Sequence, residues 1–173
     1  MSEKKRVLII CLGNICRSPI GEAVFQHLIK KDGLEDKWEV ESAALIRYHL
    51  GKSPDHRAMS TLREKGITDY SHKARLITEE DFIKFDWILG MDNDNISDLN
   101  HMKPADSKAK IELLGKYDSK GEIIIRDPYF VKFTYLNENH QNICIFIETV
   151  FYLSEIFFRT TTVRDTQKLT NSA

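Results

Sequence analysis

The chain has 173 residues and a formal net charge of −1, with 25 basic against 26 acidic side chains. That length gives one domain with a core of its own, and the balanced charge argues against nucleic acid or another polyanion as partner. Three cysteines, Cys11, Cys16 and Cys144, are too few and too odd in number for a disulfide framework and point to a reducing compartment.

The N-terminal MSEKKRVLIICLG is basic, but its apolar run is too short for a signal peptide, so a cytoplasmic protein is expected. Residues 7–10 (VLII) form an unbroken aliphatic run that predicts a buried parallel strand. Residues 11–17 (CLGNICR) make a tight loop after it. Ser18 and Pro19 then predict a helix, with Ser18 as N-cap and Pro19 in its first position, where a missing N–H costs nothing. The helix runs to Lys31. Ile20, Ala23, Val24 and Leu28 form its apolar stripe, Glu22, Gln26 and Lys30 face solvent, and Gly33 stops it. Residues 37–42 (KWEVES) alternate as a second strand. A loop with Tyr48 and Gly51 leads to Ser53 and Pro54, a second cap-then-proline signature, before a helix through Met59 and Leu62 that Gly66 ends.

Thr78 and Asp81 suit a capping box at the start of a short helix. Residues 86–91 (DWILGM) predict a third strand, Asp92 caps a helix through Ile96 and Leu99, and residues 110–114 (KIELL) predict a fourth strand. In residues 143–159, Phe146, Val150, Leu153 and Phe157 share one helical face, with Glu148, Tyr152, Glu155 and Arg159 opposite. This is an amphipathic helix suited to covering a sheet, and its apolar stretch is too short to span a membrane. Residues 160–173 are polar and unpatterned, as a disordered tail would be. Strands alternating with helices make an α/β fold with a parallel sheet, whose ligands bind at the carboxyl ends of the strands.

The first strand ends at Cys11, and the loop there combines three chemical parts. Backbone N–H groups converging before a helix N-terminus form an anion cradle. A cysteine at its start is held as a thiolate nucleophile by the same field. Arg17 at its end offers a planar fork to phosphate oxygens. Ser18 can donate to the sulfur, while Gly13 and Asn14 tolerate the positive φ that such a loop demands. The loop lacks the second glycine and the lysine of a nucleotide P-loop. Asp92 to Asp94 open like an EF-hand, but Ser97 and Lys103 replace its glycine and glutamate. Cys11 and Cys16 have no second ligand pair at zinc spacing, so no metal and no cofactor is expected.

CLGNICRSP directly after a buried strand resembles the low-molecular-weight protein tyrosine phosphatase (cytosolic acid phosphatase) family. The likeness covers about residues 5–130. It includes Ser42 to Ala44, Pro54 to Arg57, Met91 with Asp92, IELLG at 111–115, and Asp127, Pro128 and Tyr129. It implies a three-layer, phosphotyrosine phosphatase I-like fold: a four-stranded parallel flavodoxin-like sheet with helices on both faces, as one domain over residues 1–159. Cys11 is then the nucleophile, Arg17 the oxyanion clamp and Asp127 the general acid. Leu12, Gly13, Asn14, Ile15, Cys16 and Ser18 form the phosphate loop, with Ser42 and His72 holding Asn14. Tyr48 and Tyr129 line the substrate cleft, with Leu12 and Ile15 adding apolar contacts. Cys16 is the partner of a reversible disulfide with Cys11 that guards it from over-oxidation.

Taken alone, Cys11 and Cys16 could be packing cysteines, His72 a surface histidine, and Asp127 with Pro128 a turn. The substrates implied are phosphotyrosine proteins and small aryl phosphates, hydrolysed through a cysteinyl-phosphate without metal. The protein would be a monomer that self-associates at most weakly. Residues 131–159 depart from the family, so a catalytically impaired phosphate-binding variant is one alternative. A thiol-dependent arsenate reductase is another, although residues 80–90 hold no relay cysteine.

Overall fold

The computed structural model describes residues 3–117, 124–125, 148–150, 152 and 154–158. In chain order they form β1 (Lys5–Cys11), α1 (Arg17–Lys31), β2 (Trp38–Ala44), α2 (His56–Glu64), α3 (Glu79–Lys84), β3 (Trp87–Gly90), α4 (Asn93–Met102) and β4 (Lys110–Leu113). The strands build one sheet in the order β2-β1-β3-β4, with every pairing parallel. The parallel sheet is the one expected from the alternation of elements, and its four-stranded flavodoxin-like form is the one the family resemblance implies.

β1 lies between two strands, and Val7, Leu8, Ile9 and Ile10 are fully buried. Because side chains alternate across a strand, this one run supplies both cores. Val7 and Ile9 meet α1, α2 and the C-terminal Val150, Phe157 and Phe158, while Leu8 and Ile10 meet Phe82 of α3 and Leu99 of α4. Helices therefore cover both faces, and the carboxyl ends of β1, β2 and β3 deliver Cys11, Ala44 and Gly90 to one edge.

Residues 148–150, 152 and 154–158 are helical. Val150 and Phe157 are buried and Glu148, Tyr152 and Glu155 exposed, as the amphipathic pattern predicts. Phe157 stands 5.8 Å from Trp38 and 5.6 Å from Trp87, and Glu148 pairs with Lys65 at 2.6 Å. Phe146, Leu153, Arg159 and the predicted tail lie outside the described residues, as does Cys144. Among the described residues no helix is long and apolar enough to cross a membrane.

Three local expectations are corrected. Ser18 is not the cap of α1: Cys16 holds that position without a side-chain bond, and Ser18 is turned inward to the sulfur of Cys11. Glu22 does not face solvent. It lies on the same helical face as Ser18, Phe25 and Ile29 and is buried with them. Asp55, not Ser53, caps α2, accepting from the backbone N–H of Arg57. The capping box of Thr78 with Asp81 and the cap by Asp92 form as expected.

Candidate active site

The loop between β1 and α1 is turned by its carbonyls. The carbonyl of Leu12 accepts from the N–H groups of Leu45 and Ile46, and that of Ile15 accepts from Asp55 N–H at 2.7 Å. With these oxygens engaged by the surrounding chain, the loop's amides are left for its interior. Asn14 takes the left-handed backbone (φ 54) and donates its N–H to Cys11 Sγ at 3.3 Å. Gly13 does not need positive φ, which corrects that expectation. A Cβ there would lie 2.9 Å from His49 Cδ2, so glycine is what lets the His49 ring close over the loop.

The Asn14 side chain fixes proton directions around the sulfur. Its Oδ1 accepts from the backbone N–H of Arg75 at 3.0 Å, which identifies that atom as the oxygen. Its Nδ2 therefore donates to Ser18 Oγ and to Ser42 Oγ, both at 2.9 Å. Ser18, already accepting, is free to donate its hydroxyl proton to Cys11 Sγ at 3.0 Å. The sulfur thus faces two donors, Asn14 N–H and the Ser18 hydroxyl.

On the other branch Ser42 donates to Glu22 Oε2 at 2.6 Å, which also accepts from the Tyr70 hydroxyl at 2.9 Å. His72 closes the ring, with Nε2 on Asn14 Oδ1 at 2.7 Å and Nδ1 on Glu22 Oε2 at 3.2 Å. Burial pushes Glu22 up to about 7, against the hydrogen bonds from Ser42 and Tyr70. Burial, aided by the nearby Arg75 charge, pushes His72 down to about 4. Asn14 Oδ1 can only accept, so Nε2 carries the imidazole proton. A neutral His72 then offers bare Nδ1 to a protonated Glu22. Between them the two buried groups hold one proton.

At the far end of the loop Arg17 is buried. Its Nη1 donates to Asp92 Oδ2 at 2.6 Å and to the Ile125 carbonyl at 3.2 Å. Ile125 is itself held by its N–H on the Met91 carbonyl at 2.8 Å. The carboxyl end of β3 therefore supplies both the acidic partner and the strap that hold the guanidinium.

A cavity of about 310 Å³ opens above the loop, lined by Cys11 through Arg17 with Ile46, Tyr48 and His49. Tyr48 stands at its mouth, 76% exposed. Of the residues expected in the site, Cys11, Leu12, Gly13, Asn14, Ile15, Cys16, Arg17, Ser18, Ser42, Tyr48 and His72 come together. Asp127 and Tyr129 lie outside the described residues. Cys11 and Cys16 are both buried, and Cys16 belongs to the apolar core under α1.

The sequence reading missed Glu22, Tyr70, His49 and the pairing of Asp92 with Arg17. Two signals were available. Positions 18, 22, 25 and 29 follow helical spacing, so Glu22 shares the face of Phe25 and Ile29. Asp92 follows a strand that neighbours β1 in a parallel sheet, and so arrives at the same edge as Cys11.

Comparison with known proteins agrees with this geometry. The model of the family described as low molecular weight phosphotyrosine protein phosphatase matches residues 6–151, beyond the residue 130 at which the likeness was expected to end. The protein of that name from Sus scrofa is 52% identical over 128 residues, 73% of this chain and 80% of the relative. Its namesake from Homo sapiens is 51% identical over the same shares. Among solved structures, that of Primo-1 superposes with a TM-score of 0.81 at 38% identity, covering 90% of this chain and 97% of that one.

Proposed function

We infer the chemistry of this site from one premise: the chain belongs to the low molecular weight phosphotyrosine protein phosphatase family. It is a hydrolase of phosphotyrosine. What we propose beyond this is the work of each residue. The observation that carries the proposal is the pair of donors, Asn14 N–H and the Ser18 hydroxyl, on Cys11 Sγ. A sulfur served by two donors is arranged to bear negative charge, as a nucleophile must.

Cys11 Sγ attacks phosphorus and forms the P–S bond as the bond to the tyrosyl oxygen breaks. Asp127 gives its proton to that leaving oxygen. Arg17 and the loop amides hold the three equatorial oxygens through the transition state. Water then attacks the cysteinyl-phosphate, Asp127 takes its proton, and the P–S bond breaks to return the thiolate and release phosphate. Asn14, Ser42 and His72 keep the loop in shape. Tyr48, Leu12 and Ile15 line the cleft, and with Tyr129 assigned beside them they favour aryl phosphates, small ones included. Cys16 accepts Cys11 in a disulfide under oxidation. No step calls for a metal or a cofactor. The need to keep Cys11 reduced supports a cytoplasmic enzyme, for which we propose a monomer that self-associates at most weakly.

The test is turnover of para-nitrophenyl phosphate in EDTA. We expect turnover, inhibition by vanadate, and a loss of about 10⁴-fold or more in Cys11→Ser. Binding of vanadate without turnover would favour the impaired variant instead. For Asp127, the alanine variant should lose on the order of 10²–10⁴-fold on phenyl phosphates with poor leaving groups and less on good ones. Full activity on the poor leaving group would remove Asp127 from the mechanism.

A further inference from the structure

Beside the active site lies a larger groove of about 570 Å³ that the reaction does not use. Ser53, Pro54, His56, Met59, Arg63 and Lys73 form its walls, and among the described residues no acidic one lines it. Its cations are unspent. Lys73 Nζ meets only the neutral Ser53 hydroxyl, at 2.9 Å, and among the described residues neither Lys73 nor Arg63 has a carboxylate partner. His56, 92% exposed beside them, is the exception, with its Nδ1 3.9 Å from Asp55 Oδ1. Elsewhere on the surface Lys30, Lys65, Lys84, Arg75 and Lys116 are each matched to a carboxylate within 2.9 Å. In a chain of net charge −1, the groove brings the unmatched Arg63 and Lys73 into one lining.

The groove has no lining residue in common with the cleft but is tied to the phosphate loop at two points. Its Pro54 end is pinned there, since the next residue, Asp55, donates its N–H to the loop carbonyl of Ile15. On its other side His72 lines the groove while bonding Asn14 of the loop.

We propose that this groove receives an acidic segment of the protein substrate, next to the phosphotyrosine that occupies the cleft. The proposal rests on the phosphotyrosine reading above and deepens it, giving the substrate class as phosphotyrosine in an acidic sequence context. Exposed ion pairs are individually weak, so Arg63 and Lys73 act by lowering KM and raising the encounter rate, not by touching the chemical step. Both cations are exposed and lie outside the hydrogen-bond network around Cys11, so replacing them leaves the fold and the reacting groups in place.

The experiment compares three phosphotyrosine peptides flanked by glutamates, glutamines or lysines, placed in turn before and after the phosphotyrosine. The enzymes are wild type, Arg63→Ala/Lys73→Ala and Arg63→Glu/Lys73→Glu. With wild type we expect KM to be about five- to tenfold lower for the glutamate peptide than for the glutamine one, on one flank, with kcat unchanged. The preference should fade by 0.5 M salt. The alanine pair should lose it, and the glutamate pair should reverse it in favour of lysine. Turnover of para-nitrophenyl phosphate should be equal in all three enzymes, and this separates the two readings. Normal turnover with no flank preference, or a preference untouched by the variants, overturns the groove and leaves the phosphatase reading standing. Absent turnover overturns the phosphatase reading. The groove is then judged by fluorescence anisotropy of an unphosphorylated glutamate-rich peptide, and equal binding to wild type and the glutamate pair overturns it.

Discussion

The two ends of the loop between β1 and α1 are held by different chemistry. At the Cys11 end every contact is short, buried and formally neutral or proton-sharing: Asn14, Ser18, Ser42, His72, Tyr70 and Glu22 pass hydrogen bonds from one to the next. At the Arg17 end a full guanidinium charge is held by a partly exposed carboxylate, Asp92, and a backbone carbonyl, Ile125. The first arrangement fixes direction, because each donor has one acceptor available to it. The second fixes charge and leaves the guanidinium free to exchange one anionic partner for another. A nucleophile needs the first kind of support, and a clamp that must take up and release phosphate needs the second.

The comparison can be broken most severely at Asn14. Asn14→Ala removes the amide that serves both serines and places a β-carbon in left-handed backbone. It should cost about 3–5 kcal/mol of stability by urea unfolding. Loss of less than about 1 kcal/mol would mean that the network does not hold the loop.

The shared proton of Glu22 and His72 makes a smaller, signed prediction. In the unfolded chain Glu22 titrates near 4.5 and His72 near 6.5; in the folded chain the values are about 7 and about 4. Between pH 4.5 and 6.5 the folded pair holds one proton, on Glu22, and the unfolded pair holds one, on His72, so their combined contribution is flat. Glu22→Gln leaves His72 alone. Its folded value is depressed, so the unfolded state binds more protons and stability rises with pH through this window. His72→Asn leaves Glu22 alone. Its folded value is raised, so the folded state binds more protons and stability falls as pH rises. Each slope should approach about 1.4 kcal/mol per pH unit relative to wild type. Urea midpoints at pH 5 and pH 6 check this, and slopes of the same sign in both variants would sink the shared-proton account.

The smallest effect belongs to the Arg17 end. Asp92→Asn keeps the shape and removes the charge opposite Arg17. We expect about a tenfold fall in kcat/KM for para-nitrophenyl phosphate, equivalent to about 1.4 kcal/mol, with a loss of stability smaller than that of Asn14→Ala because Asp92 is partly exposed and the amide oxygen still accepts from Arg17. A stability loss as large as that of Asn14→Ala would erase the distinction between the two ends.

What could be read from the sequence follows the same division. The strands and helices and the delivery of Cys11 to a carboxyl edge were legible in period-2 and period-3.6 patterns and one loop motif, whereas the assembly of Asn14, Ser18, Ser42 and His72 was legible only through the family resemblance, since Ser42 and His72 come from distant parts of the chain. Ser18 was misread as a cap because Ser before Pro suits an N-terminus equally well. Only the sulfur competing for its hydroxyl decides between the two roles. Glu22 was misread because a carboxylate is by default a solvent residue, and its burial depends on Ser42, Tyr70 and His72 arriving from other parts of the chain. Asp92 was legible as the cap of α4 and does accept from Asn95 N–H at 2.8 Å, but its second oxygen serves Arg17, a partner 75 residues away. Dual roles of this kind have no local signature.

The aromatic cluster under the sheet has a practical consequence. The chain has two tryptophans, and both are in it, with ring centroids 5.9 Å apart and Phe157 against each. Trp38 pairs in register with Lys5, and Cys11 lies six residues further along β1, about 20 Å away at roughly 3.3 Å per residue. The intrinsic fluorescence of the protein therefore originates at the base of the sheet, far from the phosphate loop. It is a built-in optical probe of whether the C-terminal helix is seated, and it should stay silent when vanadate fills the cleft.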